Sequence, residues 1–230
     1  MMLLERLYTG KNKDSVWKHV VGTWKNKETR TVKPLYVSDL KDQDYLSVVF
    51  YTEVLDDMAR FLVDHVSVCK DIVDTKTLMF MKPVFLPMPH DRPRDLNRFS
   101  IYIRAQPVFY SEIYNSILNH EFSGACFPNY LAYVFGDYDI LMTMLAKDKG
   151  CLSDFIDSSI KPLNGVQEAI INPIKRTELL TSTGQWREIQ RSLLCIPPWI
   201  SKRLKEHYLY DTDPTAQEDL MLTGAMSDEL

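Results

Sequence analysis

The sequence predicts an α+β protein made of two copies of a β-α-β-β-α-β unit, and three observations carry the prediction. Two strand-like segments, Tyr45 to Thr52 and Tyr138 to Leu145, are apolar on both alternating faces, so each needs cover on both sides. Each sits inside the same succession of strand and helix signals. The two successions overlay with a constant shift, so that Asp44-Tyr45 falls on Asp137-Tyr138, Val73 on Val166 and Lys82 on Lys175. One slip is needed, where Phe61 matches Phe155 rather than Asp154. The pattern is that of a split-βαβ or ferredoxin-like unit in tandem. Such a unit covers one sheet face with its own helices and leaves the other bare. Two open sheets packed face to face as a pseudo-dimer are therefore expected.

In chain order, Met2 to Thr9 reads as a strand ending at Gly10, and Asn12 or Asp14 caps a helix that gathers Val16, Trp17, Val20, Val21 and Trp24 on one stripe. Thr31 to Ser38 is a second strand, with Pro34 marking an edge or an irregularity. After the charged turn Asp39 to Asp44 and the strand from Tyr45, Asp56 or Asp57 opens a helix that buries Met58, Phe61 and Leu62. Val73 to Phe85 closes the unit. Prolines 87, 89 and 93 can continue neither kind of element and read as a linker. The second unit repeats the order: a strand at Phe99 to Ala105, a helix at Tyr110 to Asn119, extended chain from Gly124 to Phe135, the strand from Tyr138, a helix from about Cys151 to Ile160, and a strand at Val166 to Lys175. The expected divisions are 1–90 for the first repeat, 91–97 for the linker, 98–178 for the second repeat, 179–210 for a helical extension and 211–230 for an acidic tail. In the extension, Trp186, Ile189, Leu193 and Leu194 form one stripe, and Trp199, Ile200, Leu204 and Tyr208 form another beyond Pro197-Pro198.

Composition narrows the function. With 230 residues, 45% hydrophobic and 25% charged, the chain has ordinary globular composition. No apolar run is long enough to span a membrane and no signal-peptide layout opens the chain, so a cytoplasmic protein without membrane partners is expected. A net charge of −4 gives no global attraction to nucleic acid. Cys69, Cys126, Cys151 and Cys195 form no C-x-x-C pair and read as four buried or half-buried thiols. The five histidines make no ligand pattern, and neither a G-x-S-x-G nor a glycine-rich phosphate loop is present, so no metal and no cofactor are expected.

Residues 98 to 177 resemble the effector-binding (RAM) domain of the Lrp/AsnC regulators. The residues that carry this are Val134-Phe135-Gly136-Asp137-Tyr138-Asp139, the helix around Leu152-Ser153-Asp154-Phe155-Ile156, and Pro162-Leu163-Asn164-Gly165-Val166. The first unit is a fainter copy, with Asp42-Gln43-Asp44-Tyr45 where the glycine turn should stand. The resemblance implies a module that senses an amino-acid-like effector, pairs with further copies or with a regulator protein, and lacks the family's N-terminal helix-turn-helix. Direct DNA contact by the usual route is therefore disfavoured.

The same resemblance makes Gly136, Asp137, Tyr138 and Asp139 the candidate ligand-binding residues, with turn N–H groups meeting a carboxylate and an aspartate meeting an amine. By itself G-x-Y-D is also ordinary turn chemistry. A regulatory module is favoured over an enzyme. The alternatives are a dimeric α+β-barrel-type enzyme acting on a tetrapyrrole or another small molecule, with His65, Arg104 and His120 as its candidates, and a scaffold that only presents surfaces to partners.

Overall fold

The computed structural model describes residues 1–25, 27, 31–88, 93, 95–120 and 126–195. The strands are β1 (Met2–Tyr8), β2 (Val32–Leu40), β3 (Tyr45–Thr52), β4 (Asp74–Phe85), β5 (Asn97–Ala105), β6 (Cys126–Phe135), β7 (Ile140–Ala146) and β8 (Val166–Leu179). The helices are α1 (Lys13–Trp24), α2 (Leu55–Val66), α3 (Tyr110–Asn119), α4 (Lys149–Phe155) and α5 (Thr183–Ser192). Helix α4 widens at once into a π-helical turn at Ile156–Ile160. The slip that lays Phe61 on Phe155 falls at this point, where a π turn accommodates an extra residue.

The expectation of two sheets stacked face to face is overturned by the strand pairing. All eight strands form one closed antiparallel barrel in the order β1-β3-β2-β8-β5-β7-β6-β4, and β4 returns to β1. Each half supplies four strands in the order fourth, first, third, second. The halves join at two seams, each pairing the second strand of one half with the fourth strand of the other. At the first, Tyr36 faces Leu179 and Leu40 faces Ile174; at the second, Met79 faces Phe135 and Phe85 faces Tyr130. Stacking would have left β2, β4, β6 and β8 with unpaired N–H and C=O groups. Closure pairs them all, which is why the barrel wins. Both arrangements bury the inner face, so the apolar alternation in the sequence does not distinguish them.

Three packed layers follow. The barrel interior holds Leu4, Tyr45, Val49, Leu78, Phe80, Tyr102, Tyr130 and Leu141. Outside the first half, α1 and α2 bury Val16, Val20, Trp24, Met58 and Phe61 on Leu3, Leu7, Val48 and Phe50. The Trp24 ring lies 5.5 Å from that of Phe61. Outside the second half, α3, α4 and the π-helical turn bury Ile113, Ile117, Leu152 and Ile156 on Ile101, Ile103 and Met142. Among the described residues, no helix is long and apolar enough to cross a membrane.

One end of the barrel is plugged by the chain itself. Ser182 caps α5 by accepting from the Gln185 N–H. Trp186 is 3% exposed and meets Tyr36 and Phe85 edge-on at 5.4 and 5.5 Å. Backbone bonds from Phe85 N–H to Leu193 C=O (3.0 Å) and from Cys195 N–H to Phe85 C=O (2.8 Å) tie the segment down. The second expected stripe and the acidic tail lie outside the described residues.

Glu5 is fully buried under the first helix layer and accepts a 2.6 Å hydrogen bond from the Thr77 hydroxyl. Burial pushes its carboxyl pKa up, against the opposing hydrogen bonds of Thr77 and Thr75. The folded state thus holds the proton more tightly than the unfolded chain. Stability therefore falls as pH rises from the unfolded carboxyl range through the raised folded value. Glu5→Gln should abolish that fall and raise stability at neutral pH, as read by urea denaturation at about pH 4 to 8.

Candidate functional site

The plugged end is apolar and aromatic; the opposite end carries charge. Strand β1 alternates, so Met2, Leu4, Arg6 and Tyr8 share the inward face while Leu3, Glu5 and Leu7 face the helices. Arg6 is thereby carried into the barrel and is only 4% exposed. Its guanidinium carbon lies 4.9 Å from the ring centres of Tyr45 and Tyr102 and 5.4 Å from that of Tyr138. Electron-rich ring faces stabilise a cation that has lost its water. Burial works against the charge, but the tyrosines, Tyr102 first, more than offset it, so Arg6 remains a guanidinium. Burial and the neighbouring Tyr102 also push the Tyr45 phenol up.

Asp137 closes this end. Its Oδ2 lies 3.5 Å from Arg6 Nη1, and its Oδ1 accepts a 2.5 Å bond from Lys76 Nζ. Arg104 donates to the Asp137 carbonyl (3.4 Å), pairs with Glu168 (3.4 Å) and lies 5.5 Å from the Tyr138 ring. Arg6 Nε and Nη2 are buried and lack a well-aligned hydrogen-bond partner, although the Tyr102 and Tyr8 hydroxyls stand near enough to support the guanidinium. Leaving charged donors unpaired in a buried site costs several kcal/mol, so an acceptor is favoured there.

The four residues singled out in the sequence are divided by the turn. Asp137 and Tyr138 face the barrel mouth, with the Tyr138 ring 4.8 Å from Tyr102. Asp139 instead accepts the Ala105 N–H at 2.7 Å and the Tyr110 hydroxyl, which pushes the Tyr110 phenol, already raised by burial, to about 12. Gly136 has φ +155°, and a Cβ there would stand 2.3 Å from Leu78 Cδ2. In the first half the equivalent turn lacks glycine, and Asp42 takes the left-handed conformation at φ +61°. The sequence reading missed Arg6, Lys76, Tyr45 and Tyr102. The available signal was an arginine on the inward-alternating face of an apolar strand.

The histidines proposed for an enzyme lie elsewhere. His65 on α2 packs on Phe61 at 4.4 Å, and His120, just after α3, packs near Phe155 at 5.3 Å, both in the outer helix layers. Among the described residues no histidine lines the barrel and no group of three or more His, Cys, Asp or Glu side chains is placed to hold a metal.

A second concavity, of about 810 Å³, opens beside the β2–β8 seam and is lined by Lys11, Lys41, Gln43, Arg98 and Lys175, among others. Its Asp39 is held by Lys13 Nζ at 2.5 Å and Arg176 Nε at 3.0 Å, and Arg176 also bonds Asp14. The carboxylate in this space is thus already paired, whereas the tyrosine-ringed mouth holds a buried guanidinium with poorly aligned donors. The buried Arg6 and its tyrosines make the mouth the candidate.

No family model and no curated protein matches the chain. Solved structures with a similar chain path include a candidate monooxygenase of Lactobacillus acidophilus NCFM (6% identical, covering 75% of this chain and 91% of that one, TM-score 0.48). They also include an anthrone oxidase-like protein (10%, 78% and 93%, 0.48) and a major regulator of staphylococcal pathogenesis (8%, 76% and 98%, 0.40). Candidate enzymes and regulators thus both occur. At these scores the likenesses carry no functional argument, and the α+β-barrel description rests on the strand order of this chain.

Gly136→Ala should destabilise the protein by about 1–3 kcal/mol, through contact with Leu78 and strain in the turn. Asp42→Gly, which relieves a positive φ, should change stability by less than about 1 kcal/mol. Urea midpoints of the two variants check both values.

Proposed function

We propose that the chain is a small-molecule-binding α+β barrel that takes an organic anion, a carboxylate or phenolate on an aromatic or apolar body, at the Arg6 mouth. The observation that carries the reading is a buried guanidinium with two poorly aligned donors inside a ring of tyrosines. A ligand oxygen would satisfy those donors by charge-assisted bonds, and its body would lie against the partly buried Tyr138 at the rim. Asp137 is the built-in competitor: its 3.5 Å contact to one nitrogen is loose and its side chain is 35% exposed, so a ligand carboxylate can replace it. Gly136 and Asp139 serve this reading by holding the turn that carries Asp137 and Tyr138.

An amino-acid effector of the Lrp/AsnC kind is less well matched than a plain acid. Its ammonium group would seek Asp137, which Lys76 and Arg6 already occupy. An enzymatic reading is favoured by one feature, the side-by-side placement of a carboxylate base and a cation able to hold an oxyanion, which is what proton abstraction beside a carbonyl needs.

Calorimetry against a panel of aromatic carboxylates, phenolates and amino acids tests the proposal. Arg6→Met should weaken the best acid by about 1.5–3 kcal/mol, or roughly 10- to 150-fold. Asp137→Asn should tighten it. Unchanged affinity in Arg6→Met overturns the reading. Exchange of deuterium into a bound ketone, lost in Asp137→Asn, would identify catalysis.

A further inference from the structure

Cys126 and Cys151 belong to neither concavity. Cys126 opens β6, is 6% exposed and packs with the second outer layer; Cys151 lies in the first turn of α4 and is half-buried against the same cluster. Their sulfur atoms are 2.9 Å apart. A disulfide needs about 2.05 Å, so a side-chain adjustment of under about 1 Å joins them. The sequence offers no C-x-x-C spacing here; the pairing exists because β6 begins beside the end of β7, with Cys126 opposite Ala146, and α4 starts just after it.

We propose that this pair is a thiol oxidation site, in which a peroxide converts Cys126 and Cys151 into a reversible disulfide. Cys151 reacts first because it is the more exposed. Burial foremost, together with the Cys151 sulfur and the nearby Asp148 and Asp154, pushes the Cys126 thiol up to about 12, so Cys126 is the resolving partner. The Cys151 thiolate attacks one peroxide oxygen, the O–O bond breaks and the departing hydroxide takes a proton to become water. Cys151 is then a sulfenic acid. The Cys126 sulfur attacks that sulfur, its proton joins the expelled hydroxide as a second water, and the S–S bond forms. Two electrons leave the thiols and reduce the peroxide. A dithiol reductant returns both thiols.

The bond closes a loop over residues 126–151, which comprises the whole β6–β7 hairpin with Asp137 and Tyr138 at its tip. It constrains the unfolded chain and clamps the open end of the hairpin, so oxidation stabilises the fold. No ligand is involved, so the inference stands apart from the proposed anion site.

The full-length protein, treated with a small excess of hydrogen peroxide, should lose the mass of two hydrogen atoms. After alkylation of the remaining thiols, a peptide map should link Cys126 to Cys151. The melting temperature should rise by about 5–10 °C and return with dithiothreitol. Cys151→Ser should show neither change, and Cys126→Ser should stop at a sulfenic acid trapped by dimedone. A stable sulfinic acid on Cys151 of the unmutated chain, a link through Cys69 or Cys195, or no reaction would each overturn the proposal. The peptide map of the unmutated protein decides even if a serine variant fails to fold.

Discussion

Every strand among the described residues has both of its edges paired, and the rest of the structure depends on that closure. Four strands from either half alone make a sheet with two raw edges, and edge strands of 9 and 12 residues would leave long rows of unpaired N–H and C=O groups. Pairing β2 with β8 and β4 with β6 removes all four edges at once. It also creates an interior that neither half possesses. The irregularities serve the same end: register shifts at Pro34/Tyr36, Asp39/Leu40 and Met81/Val84 fall on the seam strands, where bending lets a twisted sheet meet itself.

An enclosed interior makes polar groups informative. Ser38 bonds Thr177 across the first seam at 3.1 Å, and Thr143 donates to Asn129 at 2.6 Å, so these inward polar side chains find partners within the barrel. Arg6 does so only in part, and its cost is tolerated through three tyrosine faces and one loose carboxylate. The two ends of the barrel thereby differ. One is sealed by Trp186 and the backbone of the C-terminal segment, and the other by ions that water and anions can exchange.

The two halves are alike in path but differ in what they place at the mouth. In register, Arg6 lies opposite Ser47 in the first half, and Tyr102 lies opposite Leu141 in the second. The repeat therefore supplies a cation from one side and an aromatic face from the other. The turns diverge in the same way: Gly136 permits the backbone to lie against Leu78, whereas Asp42 reaches a positive φ with its own short polar side chain.

The sequence by itself determined what is local and periodic. Alternation at Tyr45 to Thr52, the helical stripe at Val16, Val20 and Trp24, the turn glycines and the repeated element order all follow from steric and burial rules that act within a few residues. It also pointed to the turn at Gly136 to Asp139, because turn chemistry is local. Only the tertiary structure decided between stacked sheets and a barrel, since both satisfy the same alternation and differ only in the partners of edge strands far apart in sequence. For the same reason it alone brought Arg6 to Tyr102 and Asp137, and Cys126 to Cys151. Such pairs are separated by a strand register and a seam, and no spacing along the chain encodes them.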